Sequence, residues 1–164
     1  MLRIPLRDDD GSALVEGAVL MPLLFMLLFG VYEFSWFFYQ QHVASVGVRD
    51  AARYLARVND PCNERSAAWP IEQAYARNLA TTGSIRGSIA RIKGWTPAMV
   101  TVRCTAVGNP AGTAGMGALR GGPVIYVITA SSSFADPSLG FFGVLHLDPP
   151  VISVTHSERA IGSG

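Results

Sequence analysis

GSALVEGAVLMPLLFMLLFGVYEFSWFFYQ, residues 11–40, decides how the chain is organised. Between Gly11 and Val48 the only charged side chains are Glu16 and Glu33. Gly17 to Tyr39, 23 residues, make a helix of roughly 34 Å, enough to cross a hydrocarbon core of about 30 Å. A helix in a soluble core shows a polar face, and this stretch shows none before its end at Tyr39. A cleaved secretory signal has a shorter apolar region, of about 7 to 15 residues, with small residues at its far end. Here the far end is Trp36, Phe37, Phe38 and Tyr39, rings that settle at headgroup level. Pro22 removes one helical hydrogen bond, which predicts a kink rather than a stop.

Downstream, HVASVGVRDAARYLARV (residues 42–58) places Val43, Val46, Ala51, Tyr54, Leu55 and Val58 at helical spacing. The helix is therefore predicted to leave the bilayer and end near Asp60-Pro61. Ala44, Ser45 and Gly47 form a small-residue patch that another helix can approach closely. A second helix is predicted over Pro70–Ala80, ended by Thr81-Thr82-Gly83. Strands are predicted at Met99–Val107, Pro123–Ser132 and Pro150–His156 from their β-branched residues. SLGFFGVLHL (138–147) reads as a short helix or an apolar turn. GNPAGTAGMGALRGGP (108–123) is long for a loop in a compact domain, and is read as mobile or as a contact surface. The expected fold is α+β: a long N-terminal transmembrane helix continuing into a small exported domain with one or two helices and a roughly three-stranded antiparallel sheet. Its segments are a leader at 1–11, the helix and its extension at 12–60, and the domain at 61–164.

Charged residues make up 15% of the chain against 49% hydrophobic, net charge is +1 and Lys93 is the single lysine, so there is no basic footprint for nucleic acid. His42, His146 and His156 are scattered, and neither a His-Glu-x-x-His nor a Cys-x-x-Cys occurs. The glycine-rich stretch lacks the Gly-Lys-Ser/Thr of a phosphate loop and does not fit the dinucleotide fingerprint. Gly-x-Ser-x-Gly is absent. The sequence thus offers no catalytic residue, no cofactor, no metal site and no small-molecule substrate. Cys62 and Cys104 both follow the apolar span. They form a bridge if that part of the chain reaches an oxidising compartment, or else remain two unpaired, buried thiols.

Gly11-Ser12-Ala13-Leu14-Val15-Glu16 runs directly into the span. Glycine leaves the backbone least obstructed for a peptidase working at the membrane surface. Glu16 lies one turn inside the apolar stretch, where a lone carboxylate needs a partner or a wet interface. In the plainer reading it is an acid favoured by the helix dipole. The pattern resembles the processing site of type IV pilin-like proteins, which a prepilin peptidase cuts after the glycine. That resemblance implies a mature chain starting at Ser12, with Glu16 as its fifth residue. The new α-amine, with a reference pKa of about 7.7 to 8.0, is mostly protonated near neutral pH. A neighbouring subunit's amine can therefore pair with Glu16 and set subunit register.

The longer run from Gly11 to Arg57 resembles the TadE-like proteins of tight-adherence (Flp-type) pilus and secretion systems. Gly11, Glu16, Pro22, Gly30, Glu33, Phe34, Ala51, Ala52 and Arg53 carry the resemblance. It implies a pseudopilin-like, non-enzymatic assembly subunit in the bacterial inner membrane, crossing once, with its N-terminus cytoplasmic and its C-terminal domain periplasmic or extracellular. The implied partners are a prepilin peptidase and other pilin-like or pilus-assembly subunits. One feature departs from that pattern: Asp8, Asp9 and Asp10 precede the glycine where such leaders are usually basic. Arg3 and Arg7 favour a cytoplasmic N-terminus but are outnumbered by Arg49, Arg53 and Arg57, so the orientation follows the resemblance rather than the charge count. Glu33 either reaches the far interface or meets a partner helix within the membrane. The alternative to processing is an uncleaved signal anchor whose exported domain binds a ligand or acts on a substrate.

Overall fold

The computed structural model describes residues 9–108, 124–144 and 146–161. The leader up to residue 8 and residues 109–123 of the glycine-rich stretch lie outside them. Helix α1 runs from Asp9 to Leu55 with Pro22 inside it. The chain divides into two compact units, one through Trp36 and one from Phe37 onward. In the first, α1 leaves its apolar side chains uncovered on every side: Leu14 is 76% exposed, Val19 70% and Leu27 60%. A helix that is apolar all round and has no protein against it has lipid as its natural solvent. Its length and its mean hydropathy of 2.3 suffice to cross a membrane.

From Phe37 the same helix behaves differently. Ala44, Val48, Ala51, Ala52 and Leu55 are fully buried, at the three- and four-residue spacing of one helical face. Arg49, Arg53 and Arg57 remain exposed. Helix α2, Ala68–Thr82, lies antiparallel to α1, since Tyr54 donates a short hydrogen bond to Glu72 Oε2 while Gly47 lies against Ala80. A Cβ on Gly47 would collide with the Ala80 carbonyl oxygen and the edge of the Trp95 ring. Of the small-residue patch read in the sequence, Gly47 is thus where α2 of the same chain packs, while Ser45 stays exposed. Helix α2 ends as expected: Gly83 adopts a left-handed conformation, and its N–H donates to Leu79 O at 2.9 Å.

The sheet is an antiparallel meander of β1 (Val100–Gly108), β2 (Val124–Ala135) and β3 (Val151–Arg159) in the order β1-β2-β3. Val100, Ser132 and Val154 stand in register, as do Cys104, Ile128 and Glu158. Buried Val100, Ile128, Ala130, Ile152 and Val154 alternate with exposed Thr101, Ser133, Ser153 and Thr155, so one face covers the core and the other is open. Trp95 joins the layers. Its ring stacks on Phe134 with centroids 5.4 Å apart, and its Nε1–H donates to Ser132 Oγ at 2.9 Å. Ser132 Oγ–H in turn donates to Met99 O at 2.8 Å, so no polar atom in this chain of contacts is stranded. SLGFFGVLHL includes a single helical turn, α3, Phe141–Val144.

The structure differs from the sequence expectation where α1 ends. The helix stops at Leu55 rather than near Asp60, and Asp60 (φ 53°) and Cys62 (φ 70°) both take left-handed backbone conformations. The chain turns here so that Cys62 can form a disulfide with Cys104 of β1, Cα atoms 5.8 Å apart. A bridge across a separation of 42 residues contributes about 4 kcal/mol in the chain-entropy model. Past β3, Ile161 N–H donates to Ala56 O at 2.8 Å and satisfies one of the carbonyls left open beyond α1.

Two predictions follow from the α1–α2 joint. Gly47→Ala should destabilise the detergent-solubilised chain by about 1–3 kcal/mol through overpacking, read as a lower thermal midpoint. Ser45→Ala, at an exposed position, should stay within about 0.5 kcal/mol. Partial burial and the Glu72 carboxylate push the Tyr54 phenol, which lies beyond the apolar span, up from 10.0 to about 12. The fold favours the neutral phenol, so its contribution is complete below pH 10 and is lost as pH rises towards 12. Tyr54→Phe should therefore lose less stability than the parent chain between those two pH values, as measured by melts across that range.

Candidate functional site

Gly11 and Ser12 lie inside α1, in the first turn of a helix that starts at Asp9. Cleavage between them requires that turn to open. Two features ease this: the first four N–H groups of a helix have no intrahelical acceptor, and glycine is about 1 kcal/mol poorer than alanine in a helix. Glu16 stands one turn after Ser12 on the same side of the helix. It is exposed among Leu14, Val15 and Val19, and has no hydrogen bond or ion pair among the described residues. A carboxylate in that setting is available to a cation brought by another molecule.

Glu33 is placed differently. It lies about 26 Å further along α1 and roughly 100° around it from Glu16. It is only 9% exposed, between Tyr32 at 67% and Phe34 at 50%. The sequence leaves Glu33 either at the interface or against a partner helix; the structure covers it. In the second unit, α1 carries its own buried stripe through Gln40, Ala44, Gly47, Val48, Ala51 and Leu55. Gln40, on that stripe, has an Oε1 with no hydrogen-bond partner.

In the second unit an open groove is lined by Asp50, Arg53, Tyr54, Arg57, Val58 and Leu79. Around it, Arg53 Nε lies 3.8 Å from Glu158 Oε1 of β3, His156 Nε2 lies 3.5 Å from Glu158 Oε2, and Arg91 lies 3.4 Å from Asp50. These pairs are partly exposed and each contributes at most about 1 kcal/mol, so they fix register more than they add stability. The Arg53–Glu158 and Arg91–Asp50 pairs were not readable from the sequence, because their partners are far apart in the chain, whereas His156 and Glu158 stand two residues apart on the same strand. His42, His146 and His156 stay on separate elements, α1, the β2–β3 connection and β3. No cluster of His, Cys, Asp or Glu able to hold a metal occurs among the described residues. What the geometry brings together is the cysteine pair, now a disulfide, and an apolar helix carrying one exposed and one covered carboxylate.

No curated protein and no solved structure matches the chain. A family model does match, at residues 11–53, and its description is TadE-like protein. The matched segment takes in Gly11, Ser12, Glu16, Pro22 and Glu33, that is, the whole apolar span and the start of the packed part of α1. Over residues 11–53, from the glycine ahead of Glu16 to the arginine that reaches Glu158, this chain is similar to the TadE-like proteins.

Proposed function

We propose that the chain is a membrane-anchored, pseudopilin-like subunit taking part in the assembly of a tight-adherence (Flp, type IVb) pilus or a related secretion system. The observation that carries this reading is the coincidence of the TadE-like match with the chain's physical layout. The match opens at Gly11, the glycine of the processing-site pattern, and Glu16 and an apolar helix follow at once. The family suggests a role in Tad pilus-related systems, and α1 supplies the membrane anchor.

In this reading the N-terminus is cytoplasmic, the span lies in the inner membrane, and the unit from Phe37 is exported to the periplasmic or extracellular side. The Cys62–Cys104 disulfide supports that orientation, because such bridges persist in oxidising compartments. A prepilin peptidase cuts after Gly11, and Ser12 then carries the new ammonium group. Glu16, exposed on an apolar surface, accepts the ammonium of a neighbouring pilin-like subunit and fixes how far the two helices slide past each other. Nothing in the proposal calls for catalysis by this chain.

Two measurements test it. The intact mass of the membrane-extracted protein, made with and without a prepilin peptidase, is expected to show a peptidase-dependent start at Ser12. A chain that keeps its leader beside an active peptidase would replace this reading with the uncleaved anchor, which the acidic run before Gly11 favours. Glu16→Ala is expected to leave membrane insertion unchanged. It should weaken association with other subunits by roughly two to nearly four orders of magnitude, since removing one partner of a desolvated ion pair costs about 3–5 kcal/mol. Unchanged co-purification with those subunits would rule out the pairing.

A further inference from the structure

The β2–β3 connection, residues 136–150, has no part in the function proposed above, yet its composition and position are unusual for an exposed loop. SLGFFGVLHL within it carries no Asp, Glu, Lys or Arg. Leu147 is 55% exposed and Val151, the first residue of β3, is 57% exposed. The connection closes on itself: Leu147 N–H donates to Phe142 O at 2.9 Å and His146 N–H to Gly143 O at 3.2 Å, with His146 held at φ 56°. Those backbone donors are therefore satisfied without water, which a loop needs before it can enter an apolar phase.

Its height along α1 follows from two tie points. Glu158 of β3 lies beside Arg53. Trp95 reaches Gly47 with its ring edge and Ser132 with its Nε1, and Ser132 stands beside Val154. Stepping back along β3 from Glu158 to Val154 thus goes with stepping back along α1 from Arg53 to Gly47, so the two elements run side by side. From Glu158 to Val151 is about 23 Å of strand, and from Arg53 to Tyr39 is about 21 Å of helix. The start of β3 and the connection before it therefore come level with Phe37, Phe38 and Tyr39, the aromatic residues that close the apolar span.

We propose that the β2–β3 connection is a second membrane contact, a loop that lays Leu147 and Val151 into the boundary between headgroups and acyl chains beside the aromatic end of the span. Its occupant is lipid rather than protein because it lies next to the one part of the molecule already suited to that boundary. Neither lysine nor arginine lies between residues 136 and 151, so apolar burial drives the contact and anionic lipid is not required. The proposal rests on α1 spanning the membrane, and not on the pilus role.

The test uses the full chain in phosphatidylcholine vesicles, with single-cysteine fluorophore labels at Leu147→Cys and Val151→Cys. Leu27→Cys reports the span, and Ser157→Cys, exposed at the far end of β3, reports the aqueous side. Lipid-borne quenchers are expected to quench the labels at positions 147 and 151 several-fold more than the one at 157, with aqueous iodide in the reverse order, and adding phosphatidylglycerol should change neither. If labels 147 and 151 match label 157 while label 27 is quenched by lipid, the loop proposal fails and the anchor stands. Protection of both loop labels from both quenchers identifies a protein occupant and also overturns it. Loss of lipid quenching at position 27 overturns the anchor itself.

Discussion

Helix α1 has to satisfy two different solvents along one continuous backbone. As far as Trp36 its large apolar side chains are uncovered, and lipid is their natural solvent. From Phe37 it offers one stripe to protein and turns arginines outward, as a helix on a water-soluble core does. The rest of the domain is arranged around that stripe. Gly47 lets α2 approach until the Ala80 carbonyl touches the α1 backbone, and Trp95 wedges in beside the contact and carries it to the sheet. A side chain at position 47 would separate the helices, and the ring would lose its seat.

Elements governed by local chemistry were legible in the sequence. Proline in the first turn and glycine at the end delimit α2 to within two residues of Ala68–Thr82, and β-branched runs place all three strands. Long-range geometry was not legible. Asp60-Pro61 is a strong local stop signal, yet α1 ends earlier, at Leu55, and the chain then turns to the Cys62–Cys104 bridge, a long-range tie that no local signal marks. The partners of Arg53, Tyr54 and Trp95 lie 105, 18 and 37 residues away, at Glu158, Glu72 and Ser132, and no spacing rule connects them. Of the candidate site, Gly11 and Glu16 stand out in the sequence because a glycine and an acid open an otherwise apolar helix, and both lie within the segment similar to the TadE-like proteins. The burial of Glu33 was not readable, since a single acid within an apolar run has the same spacing whether it faces lipid, water or its own chain.

The two acids in the apolar run face different physical problems. Glu16 has no partner among the described residues and sits near the helix start, where water and headgroups are within reach. Its exposure leaves it open to a cation brought by another molecule. Glu33 is already covered. A contact made by Glu33 with another molecule would first require its present cover to be displaced.

The ties between α1 and the sheet change in character along the helix. At the end nearer Phe37 they are apolar: Trp95 against Gly47, stacked on Phe134. At the far end they are polar or covalent: Arg53 with Glu158, Ile161 with Ala56, and Cys62 with Cys104. The far-end ion pair is partly exposed and weakens with salt, which leaves the disulfide as its strongest restraint. The near end relies on burial and close packing, which salt and redox conditions barely touch. A domain built this way keeps its seat on α1 where helix and sheet first meet, and it concentrates its dependence on an oxidising environment at the end furthest from the apolar span.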